Sequence, residues 1–247
     1  MDVPDVYPVR NEMGHSMMSI GRWSRIIPLV ALLGLASIAS GQAPEADGLV
    51  KVAPRKMEMA WLRPGADFRP YTKVIVNQTS VAFMPNWLRD YNINADLNSK
   101  ISQAQANQIM AAAQTNFDEI FRDAFRKAGY EVVTAAGPDV LRVNSAILDL
   151  DVNAPAGQSG FQITYIITAG QAALIVEVRD SQTNALLGRV ADRRETQQIG
   201  RQMASNSTNL YEFRQMFSVW AGICVNALTE LKAVSPVPKD LQPLQRL

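Results

Sequence analysis

The sequence predicts an α+β domain in which a mostly antiparallel sheet carries two long helices packed on one face. Three observations lead to this fold class: residues 102–129 follow a helical period, residues 171–196 alternate as a β-hairpin does, and residues 208–232 return to a helical period. No internal repeat divides the chain. We therefore expect a single α+β domain over residues 61–232.

The first helix has the clearest helical spacing of apolar residues in the chain. Its apolar stripe is formed by Ala106, Ile109, Met110, Ala113, Phe117, Ile120, Phe121, Ala124, Phe125 and Ala128. Ser102 and Gln105 form a capping-box pattern at its start, and Gly129 is the left-handed residue expected at its end. We expect a solvated opposite face with two ion pairs at the i,i+4 spacing, Asp118–Arg122 and Asp123–Lys127.

Alternating segments predict the strands. They cover residues 71–83, 130–134, 140–152, 161–169 and the two arms of the hairpin, 171–179 and 185–196. Within 140–152 the apolar side chains change from one face of the strand to the other, which predicts a bulge or a twist near Ile147. Asn184 is expected to be left-handed in the hairpin turn.

The second helix carries an apolar stripe that includes Phe213, Phe217 and Trp220, and Cys224 lies on the same stripe. As the only cysteine, Cys224 excludes an intramolecular disulfide, and we expect a buried, inert thiol. The flanking segments lack periodicity. Residues 44–60 are interpreted as an exposed linker and residues 233–247 as a Pro-rich tail.

The N-terminus has the pattern of a secretory signal peptide over residues 1–43. Arg22 and Arg25 precede an apolar run at 26–39, and small residues follow. Cleavage near Ala39 to Ala43 would give a periplasmic or secreted protein, whereas an uncleaved run from Ile26 to Ala39 would anchor the chain in a membrane. The polar segment before it indicates that translation starts at Met17 or Met18.

Composition excludes several classes of function. The chain has 24 basic and 23 acidic residues, so no charge excess favours binding to nucleic acid. Its one histidine, His15, precedes the expected mature chain, which excludes histidine-based triads and ordinary zinc sites. No phosphate-binding loop, dinucleotide fingerprint or nucleophile elbow is present. We expect no cofactor and no enzymatic activity.

Two regions remain as candidate sites. Asp149 and Asp151 lie on the same face of the predicted strand. They are either a pair that could hold Ca²⁺ or Mg²⁺, or solubilising charges. The second region is a possible partner surface, formed by Trp87, Leu88 and Tyr91 together with Arg189, Arg193 and Arg194. The aromatic group is otherwise a short packed helix, and the arginines, with Arg201 beyond them, are otherwise a solvated strand end.

The chain resembles the bacterial envelope family known as domain of unknown function 3313, over residues 61–231. The resemblance rests on the run from Trp61 to Tyr71 with Val74-Ile75-Val76, on Ala146-Ile147-Leu148-Asp149, on the run from Glu177 to Gly188, and on Asp192-Arg193-Arg194. The resemblance implies a small protein of the outer-membrane lipoprotein type with no assigned activity. This chain departs from the pattern because no cysteine stands directly after its signal segment, and because Asn184 stands where glycine is common.

Together these features predict an exported accessory or binding module that acts through contacts with an unknown envelope protein, with membrane association possible but no cysteine for lipidation. The alternative is a periplasmic protein that binds a small ligand or a cation near Asp149, Asp151 or the Trp87 segment. An enzyme is the remaining possibility.

Overall fold

The computed structural model describes residues 47–153, 168–195 and 206–246. The fold is α+β, as the sequence predicts. The strands are β1 Val50–Val52, β2 Met59–Leu62, β3 Lys73–Val76, β4 Ser80–Phe83, β5 Glu131–Val132, β6 Val140–Asn153, β7 Thr168–Asp180 and β8 Leu186–Glu195. The helices are α1 Trp87–Asn94, α2 Gln103–Lys127 and α3 Asn206–Val234, with a 3₁₀ turn at Leu97–Ser99. The signal segment, Arg201 and most of the strand expected at 161–169 lie outside the described residues.

The described strands form one sheet in the order β1-β2-β8-β7-β6-β3-β5, and β4 also pairs with β6. Pairing is antiparallel from β1 across to β6, whereas β3, β4 and β5 join as parallel strands. The sheet is thus mixed at one edge. The single strand expected over 71–83 is wrong. Strands β3 and β4 pair one after the other along β6. The chain leaves the sheet between them, where the Thr79 N–H donates to Asp118 of α2.

A bulge interrupts β6 where the sequence predicts one. The register with β7 shifts between Leu148 and Asp151, and Asp149 has a φ of 49°. Gly170 faces this point, and a Cβ there would lie 1.8 Å from the backbone oxygen of Asp151. Only a residue without a side chain lets the two backbones approach so closely. In a regular strand, residues three positions apart point to opposite faces. The bulge lets Ile147 and Leu150 both enter the core.

Helices α2 and α3 pack against each other and against the same face of the sheet. Phe117 of α2 meets Phe217 of α3 edge to face at 5.2 Å between ring centroids, and Phe117 stacks on Phe121 at 4.1 Å. The fully buried side chains include Val74, Leu141 and Leu174 from the strands below. The main core therefore lies between the helical layer and one face of the sheet.

The ends of α2 are those that the sequence predicts. Ser102 caps the helix, its hydroxyl accepts the backbone N–H of Gln105, and the Gln105 side chain accepts the Ser102 N–H in return. Gly129 follows the helix with a φ of 88°. Asn184 in the hairpin turn also has the expected positive φ, 59°.

The charged face of α2 is not wholly solvated. Asp118 is only 5% exposed, and its carboxylate accepts hydrogen bonds from the backbone and hydroxyl of Thr79 at 3.1 and 2.6 Å. Its pair with Arg122 forms at 3.6 Å. Asp123 pairs with Arg126 at the i,i+3 spacing, and not with Lys127 as expected.

Both segments that lack periodicity belong to the domain. The exposed linker expected over 44–60 is wrong for its described part, because β1 and β2 join the sheet and Leu49 and Val52 are buried. The Pro-rich tail over 233–247 is also packed, with Val237 and Leu241 buried. The proline residues end α3, yet an extended chain still lays apolar side chains on the core.

The tail hydrogen-bonds to two parts of the domain. The Val237 N–H donates to Ala66 O at 2.7 Å. Farther on, Leu244 N–H donates to Lys51 O at 2.8 Å and Ala53 N–H donates to Gln245 O at 3.1 Å. The final described residues therefore lie along the outer edge of β1.

Within the residues described, one stretch of α3, Phe213–Val234, is long and apolar enough to cross a membrane by length and composition. Its side chains Phe213, Phe217 and Trp220 are buried in the main core. Cys224 on this helix is half-buried, and burial, with a smaller effect of the Asp192 carboxylate, raises the pKa of its thiol to about 12. The thiol is thus protonated at neutral pH.

Candidate functional site

Helix α1 and the 3₁₀ turn after it form a projection that exposes two large apolar side chains. We call this segment, Trp87–Ser99, the α1 projection. It begins at Asn86, which has a φ of 63° and so redirects the chain out of β4, and it ends just before Ser102 caps α2. The projection is therefore fixed at one end by the sheet and at the other by helix α2.

Trp87 anchors the projection to the sheet. Its ring stacks on Phe83 at 4.0 Å with an interplanar angle of 4°, and on Tyr91 at 5.7 Å. Its indole N–H donates to the backbone oxygen of Val152 on β6 at 3.2 Å, and the side chain is 6% exposed. Trp87 is thus a buried anchor and contributes nothing to an accessible surface.

Hydrogen bonds from polar side chains of α1 join this helix to the residues that follow it. The amide of Asn92 donates to Ile101 O and accepts Ile101 N–H, both at 2.8 Å. The Tyr91 hydroxyl donates to Ser99 O at 3.2 Å, and burial raises the pKa of this hydroxyl. These bonds hold the helix and the turn in one conformation, because each satisfies a backbone group that the irregular chain leaves free.

The exposed residues of the projection are Ile93 and Leu97. Ile93 is 71% and Leu97 is 85% exposed, the two highest values among large apolar side chains in the part of the chain that the structure describes. Arg89 pairs with its neighbour Asp90 at 2.8 Å. Asp96 within the projection and Lys100 directly after it have opposite charges, so the exposed apolar pair lies in a neutral setting.

The sequence-predicted partner surface is therefore only partly at the surface. Trp87 is buried, and Leu88 and Tyr91 are half-buried and pack inward. Ile93 and Leu97 were not predicted. The signal for them was present in the sequence, because neither residue shares the helical spacing that joins Trp87, Leu88 and Tyr91.

The arginine group lies on β8, away from the projection, and each guanidinium meets a carboxylate of the same chain. Arg189 bonds Glu177 at 2.6 Å and Asp47 at 2.8 Å. Burial opposes the charge of Arg189, but these carboxylates outweigh burial and raise its pKa.

The other two arginines are also paired. Arg193 bonds Asp149, and Arg194 donates to Asp192 at 2.6 Å. Asp192 is 8% exposed and also accepts the Trp220 indole N–H at 2.8 Å, so Arg194 belongs to a buried link between the sheet and α3. The structure thus does not bring the arginines and the aromatic group together in one site.

The bulge in β6 separates Asp149 from Asp151. Asp149 leaves the regular ladder and binds the Arg193 guanidinium, whereas Asp151 pairs in register with Gln171. Among the described residues, no group of three or more His, Cys, Asp or Glu side chains could hold a metal ion. A cation at Asp149 would have to displace an arginine.

The solved structures that the chain is similar to share little sequence with it. A PelC dodecamer from Paraburkholderia phytofirmans is 10% identical, with a TM-score of 0.34 and coverage of 66% of this chain and 95% of that chain. Protein XCC0632 from Xanthomonas campestris is 12% identical, with a TM-score of 0.38 and coverage of 74% and 93%. The rare lipoprotein B from Shewanella oneidensis is 10% identical, with a TM-score of 0.24 and coverage of 64% and 94%.

No curated protein matches the chain. The family model described as protein of unknown function (DUF3313) matches residues 39–222, which includes the projection, the bulged strand and the hairpin. The chain belongs to the DUF3313 family.

Proposed function

We propose that the protein is a non-enzymatic accessory module of the cell envelope that binds another envelope protein through the α1 projection. The observation that carries this proposal is the exposure of Ile93 and Leu97 on a segment that Trp87 holds rigidly. Exposed aliphatic surface gains about 25 cal/mol per Å² when a partner covers it. A fixed segment also loses little conformational freedom on binding, which favours association.

The partner of the projection is a protein with a small apolar pocket. Arg89 and Asp90 compensate each other, and Lys100, directly after the projection, compensates Asp96, so this region offers no net charge to attract an acidic or basic surface. Two aliphatic side chains are enough for anchors in a pocket, where a few residues supply most of the binding free energy. We therefore expect binding that depends weakly on salt.

The proposed location rests on the signal pattern before residue 44. Cleavage near Ala39 to Ala43 would release a periplasmic or secreted protein, and an uncleaved run from Ile26 to Ala39 would keep it on a membrane. Fractionation of the producing cell, with the mass of the purified protein, distinguishes the two. Either location gives the projection access to envelope proteins.

The alternative of cation binding has less support. Asp149 already faces Arg193, and Asp151 lies on the far side of the bulge. Asp149, Asp151 and Arg193 also do not form a clustered acid and base for catalysis. We therefore keep the non-enzymatic role as the proposal.

Site-specific photocrosslinking in the producing cell tests this function. A photoreactive amino acid at position 97 should yield an adduct with one envelope protein, because the side chain projects from the domain. The same group at position 244 is the control, since Leu244 is 64% exposed but lies on the tail. Equal adducts from both positions, or no adduct from position 97, would contradict the proposal.

A substitution series supplies the second half of the test. The double variant Ile93→Ser with Leu97→Ser should lose the crosslinked partner on co-purification and keep its unfolding free energy within about 0.5 kcal/mol, as expected for surface changes. Val219→Ser is the matched control, because Val219 is an exposed aliphatic residue on α3. It should retain the partner.

A further inference from the structure

The outer side of helix α3 is exposed to solvent in the part of the chain that the structure describes. The helix buries Trp220 against the sheet, whereas Ser218, Val219 and Asn226 are exposed on the side that faces away from it. Residues four positions apart lie on one face of a helix. We call the strip of α3 that is centred on Gly222, with Ser218 and Asn226 four residues to either side, the α3 seam.

The centre of the α3 seam is a glycine that nothing in the described part of the chain requires. Apart from its chain neighbours and the backbone of the helix itself, no described atom lies within 4 Å of the position that a Cβ would take at Gly222. A glycine inside a helix is destabilising relative to alanine. The missing side chain leaves space on the outer side, where the backbone of another helix could approach closely.

Opposite charges bound the α3 seam at equal distances from its centre. Residues 215–229 contain no acidic or basic side chain, and Arg214 precedes Gly222 by eight residues, as Glu230 follows it by eight. At the helical rise each charge lies about 12 Å from Gly222 along the axis. Eight residues turn the helix about 80° beyond two full turns, so the two charges lie on opposite flanks of the seam.

Neither bounding charge is strongly neutralised by the described part of the chain. Arg214 donates to the neutral amide oxygen of Asn116 and forms no ion pair with a described side chain. Glu230 lies 3.6 Å from Arg55, and both of these side chains are 58% exposed. Such a surface pair contributes little to stability and leaves the carboxylate accessible. Both charges are therefore available to a partner.

We propose that the α3 seam binds the α3 seam of a second copy of this chain, with the two helices antiparallel. A two-fold axis through Gly222, perpendicular to the helix, places each residue before Gly222 beside the residue equally far after it in the second copy. The rotation also exchanges the two flanks, so Arg214 lies beside Glu230 of the second copy at both ends. Ser218 likewise lies beside Asn226 of the second copy, whose amide can donate to the Ser218 hydroxyl.

Charge and symmetry select a second copy as the occupant. A parallel pair of helices would bring Arg214 beside Arg214 and Glu230 beside Glu230, and like charges disfavour that arrangement. The antiparallel pair instead matches opposite charges at both ends, with uncharged side chains and Gly222 between them. One helix pair is a small interface, so we expect weak association, at concentrations above the micromolar range in which unfolding is measured. Within that range the chain unfolds as a monomer.

Charge reversal followed by sedimentation equilibrium tests the dimer. The protein purified from its own cells should dimerise as its concentration approaches the millimolar range. Arg214→Glu should raise the dimer Kd about tenfold or more, because like charges would meet at both ends. Glu230→Arg should have a similar effect, and the double variant should recover most of the affinity, since it exchanges the charges.

Glu195→Arg is the matched control for charge reversal. Glu195 is exposed on β8 and lies three residues from Asp192, which bonds Trp220 of α3, so its side chain points to the face of the sheet opposite α3. This variant should leave the dimer Kd unchanged.

An engineered cysteine locates the two-fold axis. Gly222→Cys places a thiol on the axis, where mild oxidation should join the two copies, because a disulfide needs Cα atoms within about 7 Å of each other. Glu195→Cys is the control and should stay monomeric. The wild type measures any contribution of Cys224, whose thiol is half-buried.

Several outcomes would overturn the inference. They are a monomer at every concentration, a dimer that Arg214→Glu leaves intact, a double variant no better than the single ones, and equal crosslinking from positions 222 and 195. Circular dichroism and urea unfolding of each variant ensure that a change in Kd is not a change in folding. The α3 seam is distinct from the α1 projection, so loss of the dimer and loss of the envelope partner are separate results.

Discussion

Asp180 shows how one half-buried carboxylate organises the hairpin between β7 and β8. One of its oxygens accepts the backbone N–H of Gln182 and of Thr183, at 3.1 and 2.7 Å, and the Thr183 hydroxyl at 2.8 Å. The other oxygen accepts the Tyr71 hydroxyl at 2.9 Å. Burial opposes the ionisation of Asp180, but these hydrogen bonds outweigh burial and lower its pKa.

This lowered pKa predicts a pH-dependent loss of stability for Asp180→Asn. The folded state holds the ionised form more strongly than the unfolded chain does, so the contribution is present above the ordinary pKa of 3.8 and disappears as the pH falls through the folded value. At pH 7 we expect a loss of about 2 kcal/mol, as for hydrogen bonds to a charged group. The gap between variant and wild type should narrow at pH 3.

Urea unfolding followed by circular dichroism at the two pH values measures this difference. Asp123→Asn is the control, because its side chain is 59% exposed and pairs only with Arg126. A gap at pH 3 as large as that at pH 7 would show that Asp180 acts through packing and not through its charge.

At the scale of single elements, two glycines make a matched pair. Gly129 ends α2 with a φ of 88°, whereas Gly222 lies inside α3, and a Cβ at either position meets no atom within 4 Å. The same substitution to alanine therefore tests the backbone alone. We expect Gly129→Ala to cost about 1 kcal/mol and Gly222→Ala to stabilise by about 0.5 to 1 kcal/mol.

Thermal and urea unfolding of the two alanine variants checks these opposite signs. A destabilising Gly222→Ala would mean that the outer side of α3 is covered in the native protein. A neutral Gly129→Ala would mean that α2 can end without a left-handed residue.

Elements with local signals were predictable from sequence. The capping box of Ser102 and Gln105, the stripe that contains Phe117, and the turn at Asn184 depend on residues a few positions apart, so the sequence displays them. Strands β1 and β2 were missed because they are three and four residues long and pair with each other and with β8, far along the chain. No local pattern marks such a strand.

Buried polar contacts and the site itself were less accessible. Asp118 looked like a solvated charge because its partner, Thr79, lies 39 residues away. Trp87 was recognised as a packing residue or a contact, but its burial depends on Phe83 and Val152, which belong to other elements. Only their absence from the helical spacing of Trp87, Leu88 and Tyr91 indicated in the sequence that Ile93 and Leu97 are exposed.

At the scale of the whole molecule, the C-terminal segment is part of the fold, and two leucines test this. Leu241 is 5% exposed and joins the main core, whereas Leu244 is 64% exposed. Leu241→Ala should reduce the unfolding free energy by about 2 to 4 kcal/mol, because it removes buried apolar surface and leaves a cavity. Leu244→Ala should change it by less than about 0.5 kcal/mol.

Equal effects of the two leucine substitutions would contradict a packed C-terminal segment. Limited proteolysis provides an independent measure: cleavage after Lys239 should be slow in the wild type and faster in Leu241→Ala. The Leu244→Ala variant should be cleaved at the wild-type rate.

The contact between Leu244 and Lys51 also determines when folding can finish. Strand β1 is among the first described residues to be synthesised, and the residues that cover its outer edge are among the last. Until Leu244 and Gln245 are synthesised, this edge lacks the partner that the described residues give it, and an unpaired edge readily joins strands of other molecules. A nascent chain therefore completes its sheet only after Leu244 and Gln245 have left the ribosome, so until then its protection from aggregation must come from outside the fold.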